Sequence, residues 1–322
     1  MKRSLTGIQP SGTVHIGNYL GMIRPAVEMQ NTHEAFYFVA DLHALTSFRD
    51  AETISRASRE IAAIFLAFGL DPESGVLWRQ SAVPETCELA WILSCFTSAG
   101  QLDRGHAVKS AREGGREVSA GTVFYPVLQT ADILLYDADV VPVGWDQKQH
   151  IEVARDTAIR MNHRFGDGTL VVPEVSIREG VGVVPGLDGR KMSKSYNNTI
   201  PLLESPKRVK KAIGRIVTDS KGVNEPKDPD SCNVFALYKL FASPEQEASM
   251  RERYLAGGLG YGHAKQELIA LIEDEVGDAR ESYHEWMAHP ARLDAVLDAG
   301  GARARLVARA TLGRLRAQLG LS

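Results

Sequence analysis

The feature that most limits the fold of this chain is a change of rhythm along it. In the first 150 residues, short apolar runs alternate with helical patterns. Ala35–Ala40 (Ala-Phe-Tyr-Phe-Val-Ala), Val76–Arg79 and Val140–Val143 are continuously apolar, and Lys2–Thr6 is a shorter run before them. Continuous apolar strands suit a parallel sheet buried on both faces. Between them, Ala51–Phe68 places Ile54, Ile61, Ile64, Phe65 and Phe68 on one helical face. Pro84–Phe96 and Thr122–Leu135 are further helical stretches. The alternation predicts an α/β, doubly wound, Rossmann-like parallel sheet.

After about residue 180 strand-like runs nearly vanish. Leu202–Val217, Val234–Phe241, Pro244–Leu255, Ala264–Glu275 and Ala279–Ala288 read as helices separated by Gly, Pro and Asp. Gly300-Gly301 reads as a break, and Ala302–Leu319 as a final helix. Two domains are therefore expected: 1–183 with 301–322 as the sheet domain closed by a C-terminal helix, and 184–300 as a mainly helical domain. A length of 322 residues accommodates both.

Three cysteines, Cys87, Cys95 and Cys232, fit no metal-ligand spacing, and an odd count argues against a disulfide framework. They read as reduced thiols in a cytoplasmic protein. The start of the chain has no apolar run long enough for a signal peptide, and no stretch approaches 18 uninterrupted apolar residues, so no membrane span is expected. The net charge of −3 is not that of a protein that binds nucleic acid over its whole surface. A local basic patch is available in Arg303, Arg305, Arg309, Arg314 and Arg316, which also reads as a solvated helix face.

Two segments carry chemistry. Residues 7–21, Gly-Ile-Gln-Pro-Ser-Gly-Thr-Val-His-Ile-Gly-Asn-Tyr-Leu-Gly, follow the first strand and open a helical pattern. Glycines at 7, 12 and 17 permit tight turns and close backbone approach. A helix start there offers unpaired N–H groups to a phosphate, with His15 and Asn18 as side-chain donors. The second segment, Lys191-Met192-Ser193-Lys194-Ser195, follows the glycine-bounded loop Pro185–Arg190. Two lysines three apart on such a loop can close on a polyphosphate and neutralise a departing pyrophosphate, acting most strongly in the transition state. Each segment alone has a plain structural explanation: a glycine-rich turn, or a solvated basic loop. Together, in this order, they point to nucleotide chemistry.

These residues resemble the class I aminoacyl-tRNA synthetases, which carry a HIGH-like motif after the first strand and a KMSKS motif after the sheet. Gly7–Gly12 followed by His15–Gly21 resembles the bacterial tryptophanyl subfamily in particular. So do Asp41–Thr46, Tyr125–Tyr136 and Val141–His150, so the resemblance covers nearly the whole chain. It implies an ATP-dependent ligase that converts L-tryptophan to tryptophanyl-adenylate and transfers it to tRNA(Trp), with Mg2+ entering on ATP. It implies a homodimer, and puts the 184–300 domain on the anticodon side of the tRNA. It assigns His15, Asn18, Lys191 and Lys194 to catalysis. Gln9, Pro10, Ser11, Gly17, Asn18, Gly144, Trp145, Asp146, Val183 and Lys191–Ser195 would bind ATP. Asp132 would accept the indole N–H of tryptophan, and Tyr125, Gln147, His43 and Gln9 would hold its ammonium and carboxylate. No dedicated metal site is implied. A carboxylate inside the apolar stretch Ala131–Tyr136 is costly unless paired; the other use for Asp132 is an ion pair with a nearby Lys or Arg.

Three positions depart from the resemblance. Arg104–Ala111 reads Arg-Gly-His-Ala-Val-Lys-Ser-Ala, where many relatives have Met-Thr-Gln-Phe-Lys-x-Lys; Lys109 keeps the first lysine and Ala111 replaces the second, with Arg112 or Arg116 as substitutes. Gln129 stands where methionine is common, and Trp145 where a charged residue is common. The altered segment leaves open a regulatory or auxiliary paralogue. A tyrosine-specific synthetase, or another nucleotidyl transferase on the same scaffold, are further alternatives.

Overall fold

The computed structural model describes residues 1–10, 14–48, 50–115, 117–143, 148–176 and 184–321, with 106 and 107 as backbone only. In chain order its elements are β1 (Arg3–Ile8), α1 (Ile16–Asn18), α2 (Arg24–Met29), β2 (Glu34–Val39), α3 (Asp41–Ala44), α4 (Ala51–Ala67), β3 (Val76–Arg79), α5 (Glu85–Ser94), α6 (Ala99–Asp103), α7 (His106–Glu113), α8 (Ala120–Leu134), β4 (Val140–Pro142), α9 (Lys148–Phe165), β5 (Glu174–Ser176), α10 (Pro206–Gly214), α11 (Asn233–Tyr238), α12 (Pro244–Ala256), α13 (Tyr261–Ala288) and α14 (Pro290–Leu319). A π turn over Tyr19–Ile23 makes α1 and α2 one continuous helical run.

The chain forms two compact units. Unit 1 is Met1–Gly12, Ala26–Arg178 and Trp286–Ser322; unit 2 is Thr13–Pro25 and Glu179–Glu285. The expected boundaries at 184 and 301 differ from this in two ways. Residues 13–25, expected with the sheet, belong to unit 2, because backbone pairing ties residues 14–16 to 200–202: Ile16 N–H donates to Ile200 O at 3.0 Å and Leu202 N–H to Val14 O at 3.3 Å. Residues 286–300 belong to unit 1, because Gly300-Gly301 is not a break. It lies inside the 30-residue helix α14.

Unit 1 is built on a parallel sheet in the order β3-β2-β1-β4-β5. This is the doubly wound α/β architecture expected from the alternation. β2 lies between β1 and β3 and is buried along five of its six residues, which explains its unbroken apolar sequence. Phe36, Phe38, Trp78 and Tyr136 form an aromatic centre, with Phe36–Trp78 ring centroids 5.7 Å apart and Trp78–Tyr136 centroids 4.9 Å apart. Gly7, read above as a ligand-approach glycine, serves this packing instead. A Cβ there would sit 2.3 Å from the Phe38 ring.

α14 packs on β3, and the glycine pair makes the contact possible: a Cβ on Gly300 would lie 1.9 Å from Leu77 O. The arginine run on α14 lies on a largely exposed helix face, and its side chains are paired within unit 1. Arg303 donates to the carbonyls of Pro72 and Gly75, Arg305 and Arg309 pair with Glu85, Arg314 pairs with Asp137, and Arg316 pairs with Glu88. Together they fasten the helix to the rest of unit 1.

Unit 2 is helical, as its sequence predicts, but α13 runs unbroken through Gly277, where two helices were expected. A mid-helix glycine costs only about 1 kcal/mol, and packing of Ile272, Val276 and Ala279 overrides it. Before α11, the buried Lys227 ammonium donates to the carbonyls of Gly222 (2.7 Å) and Glu225 (3.0 Å) and so fixes its own loop. No helix among the described residues is long and apolar enough to cross a membrane.

Candidate active site

In unit 1 the strand ends converge on one carboxylate. Parallel sheets present ligands at their carboxyl ends, and here β1 delivers Gln9, β2 leads into Asp41 and His43 of α3, and β3 leads into Gln80 and Ser81. α8 supplies Tyr125 and Asp132. Asp132 is 2% exposed. Its Oδ2 is 3.0 Å from His43 Nε2, and Gln80 Nε2 donates to Oδ1 at 2.9 Å and to Oδ2 at 2.8 Å. The Lys or Arg partner that the sequence allowed is absent among the described residues, and His43 and Gln80 stand in its place. Burial pushes the Asp132 carboxyl above its ordinary range, while the donors from His43 and Gln80 oppose that shift. Gln80 Oε1 accepts from the backbone N–H of Leu42 (3.1 Å) and His43 (3.4 Å). Asp41 in turn accepts from Ser81 N–H at 2.9 Å.

The remaining expected tryptophan contacts of unit 1 gather around the same group. The His43 and Tyr125 rings are 4.2 Å apart; Tyr125 Oη donates to Gln9 Oε1 at 3.4 Å, and Gln9 Nε2 donates to His43 O at 3.3 Å. With Nε2 turned to Asp132, His43 keeps a buried Nδ1 that has no partner among the described residues. Gln129 Oε1, one helical turn before Asp132, is likewise buried and unpartnered there. Pro10 is buried beside Gln9 in the chain. Ser11, Gly144, Trp145, Asp146, Gln147 and Val183 lie outside the described residues.

Unit 2 brings the two signature segments together. His15 sits at the start of α1, where Asn18 Oδ1 accepts its backbone N–H at 3.1 Å. The pairing of 14–16 with 200–202 sets it against the extended segment that follows Lys191–Ser195, with an isolated antiparallel bridge between His15 and Pro201. A Cβ on Gly17 would stand 3.0 Å from His15 Nδ1 and 3.3 Å from Met192 Sδ, so the glycine permits this approach. Burial, and then the charge of Lys194, lower the His15 pKa to about 4. The ring is therefore neutral at physiological pH and acts as a hydrogen-bonding group, leaving positive charge to the lysines. Its Nδ1 has no partner among the described residues.

The Lys191–Ser195 segment is exposed at both lysines, but Met192 is buried and anchors it, its N–H donating to Val184 O at 2.9 Å. Before it, Pro185 bridges Lys191, and the turn between them uses Gly189 at φ +83°. After it, a 3-10 turn over Lys194–Tyr196 ends at Asn197, φ +50°. Asn198, which the sequence did not single out, ties the limbs together: its Nδ2 donates to Asp188 Oδ1 (2.7 Å) and Lys191 O (3.1 Å), and its Oδ1 accepts from Ser193 N–H at 2.8 Å. A Cβ on Gly186 would collide with the Asn198 amide.

The altered segment 104–111 has a packing explanation at one position. Ala111 is 4% exposed beside buried Val108 on α7, so a lysine there would bury its charge. Lys109 is exposed. Arg112 pairs with Asp103 at 2.7 Å, and Arg116 lies outside the described residues.

A parallel sheet whose strand ends hold a network-bound carboxylate, and a second unit that joins a glycine-lined histidine turn to a lysine loop, define a nucleotide-dependent ligase scaffold. The family model for class I tRNA synthetases (W and Y) matches residues 2–276, and the chain belongs to that family. Among its relatives, the tryptophan–tRNA ligase of Pseudomonas aeruginosa is 49% identical over 99% of this chain and 74% of its own length. That of Campylobacter jejuni is 45% identical over 99% of this chain and all of its own. A crystal structure of Campylobacter jejuni tryptophanyl-tRNA synthetase complexed with ADP and tryptophan matches with a TM-score of 0.91, covering 99% of this chain and 100% of that one at 45% identity.

Proposed function

We propose that this chain is a cytoplasmic tryptophan–tRNA ligase. It activates L-tryptophan with ATP to tryptophanyl-adenylate and transfers the amino acid to tRNA(Trp). The observation that carries the choice of amino acid is Asp132: a buried carboxylate on α8, bonded by His43 and Gln80 rather than neutralised by a cation. Such a group is suited to one polar donor on an otherwise apolar ligand, and a charge-assisted bond to an indole N–H fits. A pocket built around that bond rejects phenylalanine, which would leave the acceptor position meant for the ligand unfilled.

The tryptophan carboxylate attacks the α-phosphorus of ATP, forming the mixed anhydride and releasing pyrophosphate. The terminal ribose hydroxyl of the tRNA then attacks the carbonyl carbon and AMP leaves. No protein nucleophile is required, because positioning and charge stabilisation dominate this chemistry. Lys191 and Lys194 neutralise the charge that builds on the departing pyrophosphate. Neutral His15 and Asn18 hydrogen-bond the phosphates. Gln9, Pro10, Ser11, Gly17, Gly144, Trp145, Asp146, Val183, Met192, Ser193 and Ser195 complete the ATP contacts.

Tyr125, Gln147, His43 and Gln9 hold the amino acid's main-chain ends. The Nε2 bond to Asp132 makes Nδ1 of a neutral His43 an acceptor, which suits the ammonium rather than the carboxylate. Mg2+ enters with ATP, held through the phosphates; among the described residues no group of three or more His, Cys, Asp or Glu side chains stands together to hold a separate ion. The active form is a homodimer, whose partner copy would cover exposed apolar side chains such as Trp91, 70% exposed. The 184–300 region serves the anticodon side of the tRNA.

ATP–pyrophosphate exchange with each of the twenty amino acids tests the reading. Exchange with tryptophan alone is expected, followed by charging of tRNA(Trp). Exchange with tyrosine instead would overturn the specificity and keep the enzyme class; exchange without tRNA charging would point to the auxiliary paralogue.

A further inference from the structure

We infer that Gln80 aims Asp132 at the indole N–H and thereby sets the preference for a side chain that carries that donor. The inference rests on the reading of Asp132 as the indole acceptor. Gln80 follows β3 directly, is 0% exposed, and uses both ends of its amide. Oε1 accepts the N–H groups of Leu42 and His43 at the start of α3. A flipped amide would set its NH2 against those two donors, so Nε2 must face Asp132. From there it donates to both carboxylate oxygens, at 2.9 and 2.8 Å. Oδ2 also carries the His43 Nε2 contact at 3.0 Å. Among the described residues, Oδ2 is thus doubly occupied while Oδ1 has one donor, and the carboxylate's open acceptor position lies on Oδ1. Gln80 therefore fixes both the rotation of the carboxylate and the oxygen it offers to a ligand.

It also opposes the cost of burying that charge. A carboxylate this deep tends to take up a proton, which would place an O–H donor where an acceptor is needed. Each amide donor favours the ionised form. The other titratable groups acting on Asp132, or feeling its charge, are Asp41 and His43 on α3, Cys87 on α5, Tyr125 on α8 and Tyr136 just beyond it. Gln80 differs from them in being a donor that does not titrate.

The test is kcat and KM in pyrophosphate exchange with tryptophan and with the analogue whose ring N–H is replaced by sulfur, at pH 6 and pH 8.5. Wild type is compared with Gln80→Glu, Gln80→Met and Asp132→Asn. Gln80→Glu keeps the acceptor for the two amides but sets a second carboxylate against Asp132 at pH 8.5. Its kcat/KM for tryptophan is expected to fall about 10–100-fold, the range for a lost bond to a buried charge, and the sulfur analogue is expected to lose at least about tenfold less. At pH 6 the two carboxyls share a proton and part of the loss is expected to return. Gln80→Met is expected to lose tryptophan preference equally at both pH values, and it decides the matter if the glutamate variant does not fold.

Equal losses for both substrates at both pH values would make Gln80 a packing residue only and overturn the inference. If Asp132→Asn abolishes the preference over the sulfur analogue while both Gln80 variants retain it, the inference alone fails. If Asp132→Asn leaves that preference intact, the reading of Asp132 fails, and the inference with it.

Discussion

The Asp132 pocket and the Lys191–Ser195 loop solve opposite problems. The pocket's groups are buried or half-buried and come from four separate stretches, around Gln9, Asp41–His43, Gln80 and α8, which carries Tyr125 and Asp132. The loop's groups are consecutive and its lysines are exposed, so its order comes from what lies beneath it: Met192, Asn198 and Gly186. On the proposed function the pocket meets a neutral aromatic with one donor, where burial strengthens a single bond and makes its loss costly. On the proposed function the loop meets a polyphosphate, where positive charge has to reach the ligand from an exposed position. That reading puts selectivity in the interior and catalytic charge on a supported surface.

Lys194→Ala should produce the largest effect and break the comparison if it behaves otherwise. Adenylate formation in single turnover should slow by on the order of 10²–10³-fold, as for other transition-state charge stabilisers, with the tryptophan dissociation constant unchanged. Equal losses in rate and binding would sink the division of labour. Asp132→Asn should do the converse: the KM for tryptophan in pyrophosphate exchange should rise about 10–100-fold, with the KM for ATP unmoved.

Acid stability sharpens the comparison within unit 2. The His15 pKa lies at about 4 in the fold against an ordinary 6.5, so between those values the unfolded chain binds a proton that the folded chain does not. Stability should therefore fall as pH falls through that window and be flat above it. The loss should be on the order of 1–2 kcal/mol, since one pKa unit is about 1.36 kcal/mol and exposed Lys194 is partly screened. Denaturant titrations at pH 7.5 and 4.5 should lose much of this difference in His15→Gln. Arg309→Ala supplies the baseline outside both regions. Its pairing with Glu85 is exposed on the arginine side, and its removal should cost no more than about 1 kcal/mol in the same titration.

How much of this was legible follows from where the information is stored. The sheet could be read because Ala35–Val39 of β2 and Val76–Trp78 of β3 are apolar without interruption. β5 could not, since Glu174–Ser176 is three residues long and not continuously apolar. His15–Asn18 and Lys191–Ser195 are contiguous and carry their spacing with them. Gln80 and Asn198 carry none: each is one polar side chain whose meaning comes from partners up to 52 residues away. The arginines of α14 were visible as charges, but Glu85 and Asp137, which bind them, are more than 170 residues earlier in the chain. Gly300-Gly301 looked like punctuation because local propensity disfavours glycine in helices, and the approach of Leu77 O overrides that propensity.

That contact between α14 and β3 has a consequence for biosynthesis. β3 is an edge strand of its sheet, and the face that Gly300 meets is completed by residues translated more than 200 positions later. Throughout that interval the nascent sheet presents Leu77 and Trp78 without their cover. Unit 1 therefore closes only after all of unit 2 has emerged, although β1, β2 and β3 precede unit 2's 179–285 segment in the chain. Stalled or truncated chains that end before α14 should be the aggregation-prone species, whatever the stability of the finished fold.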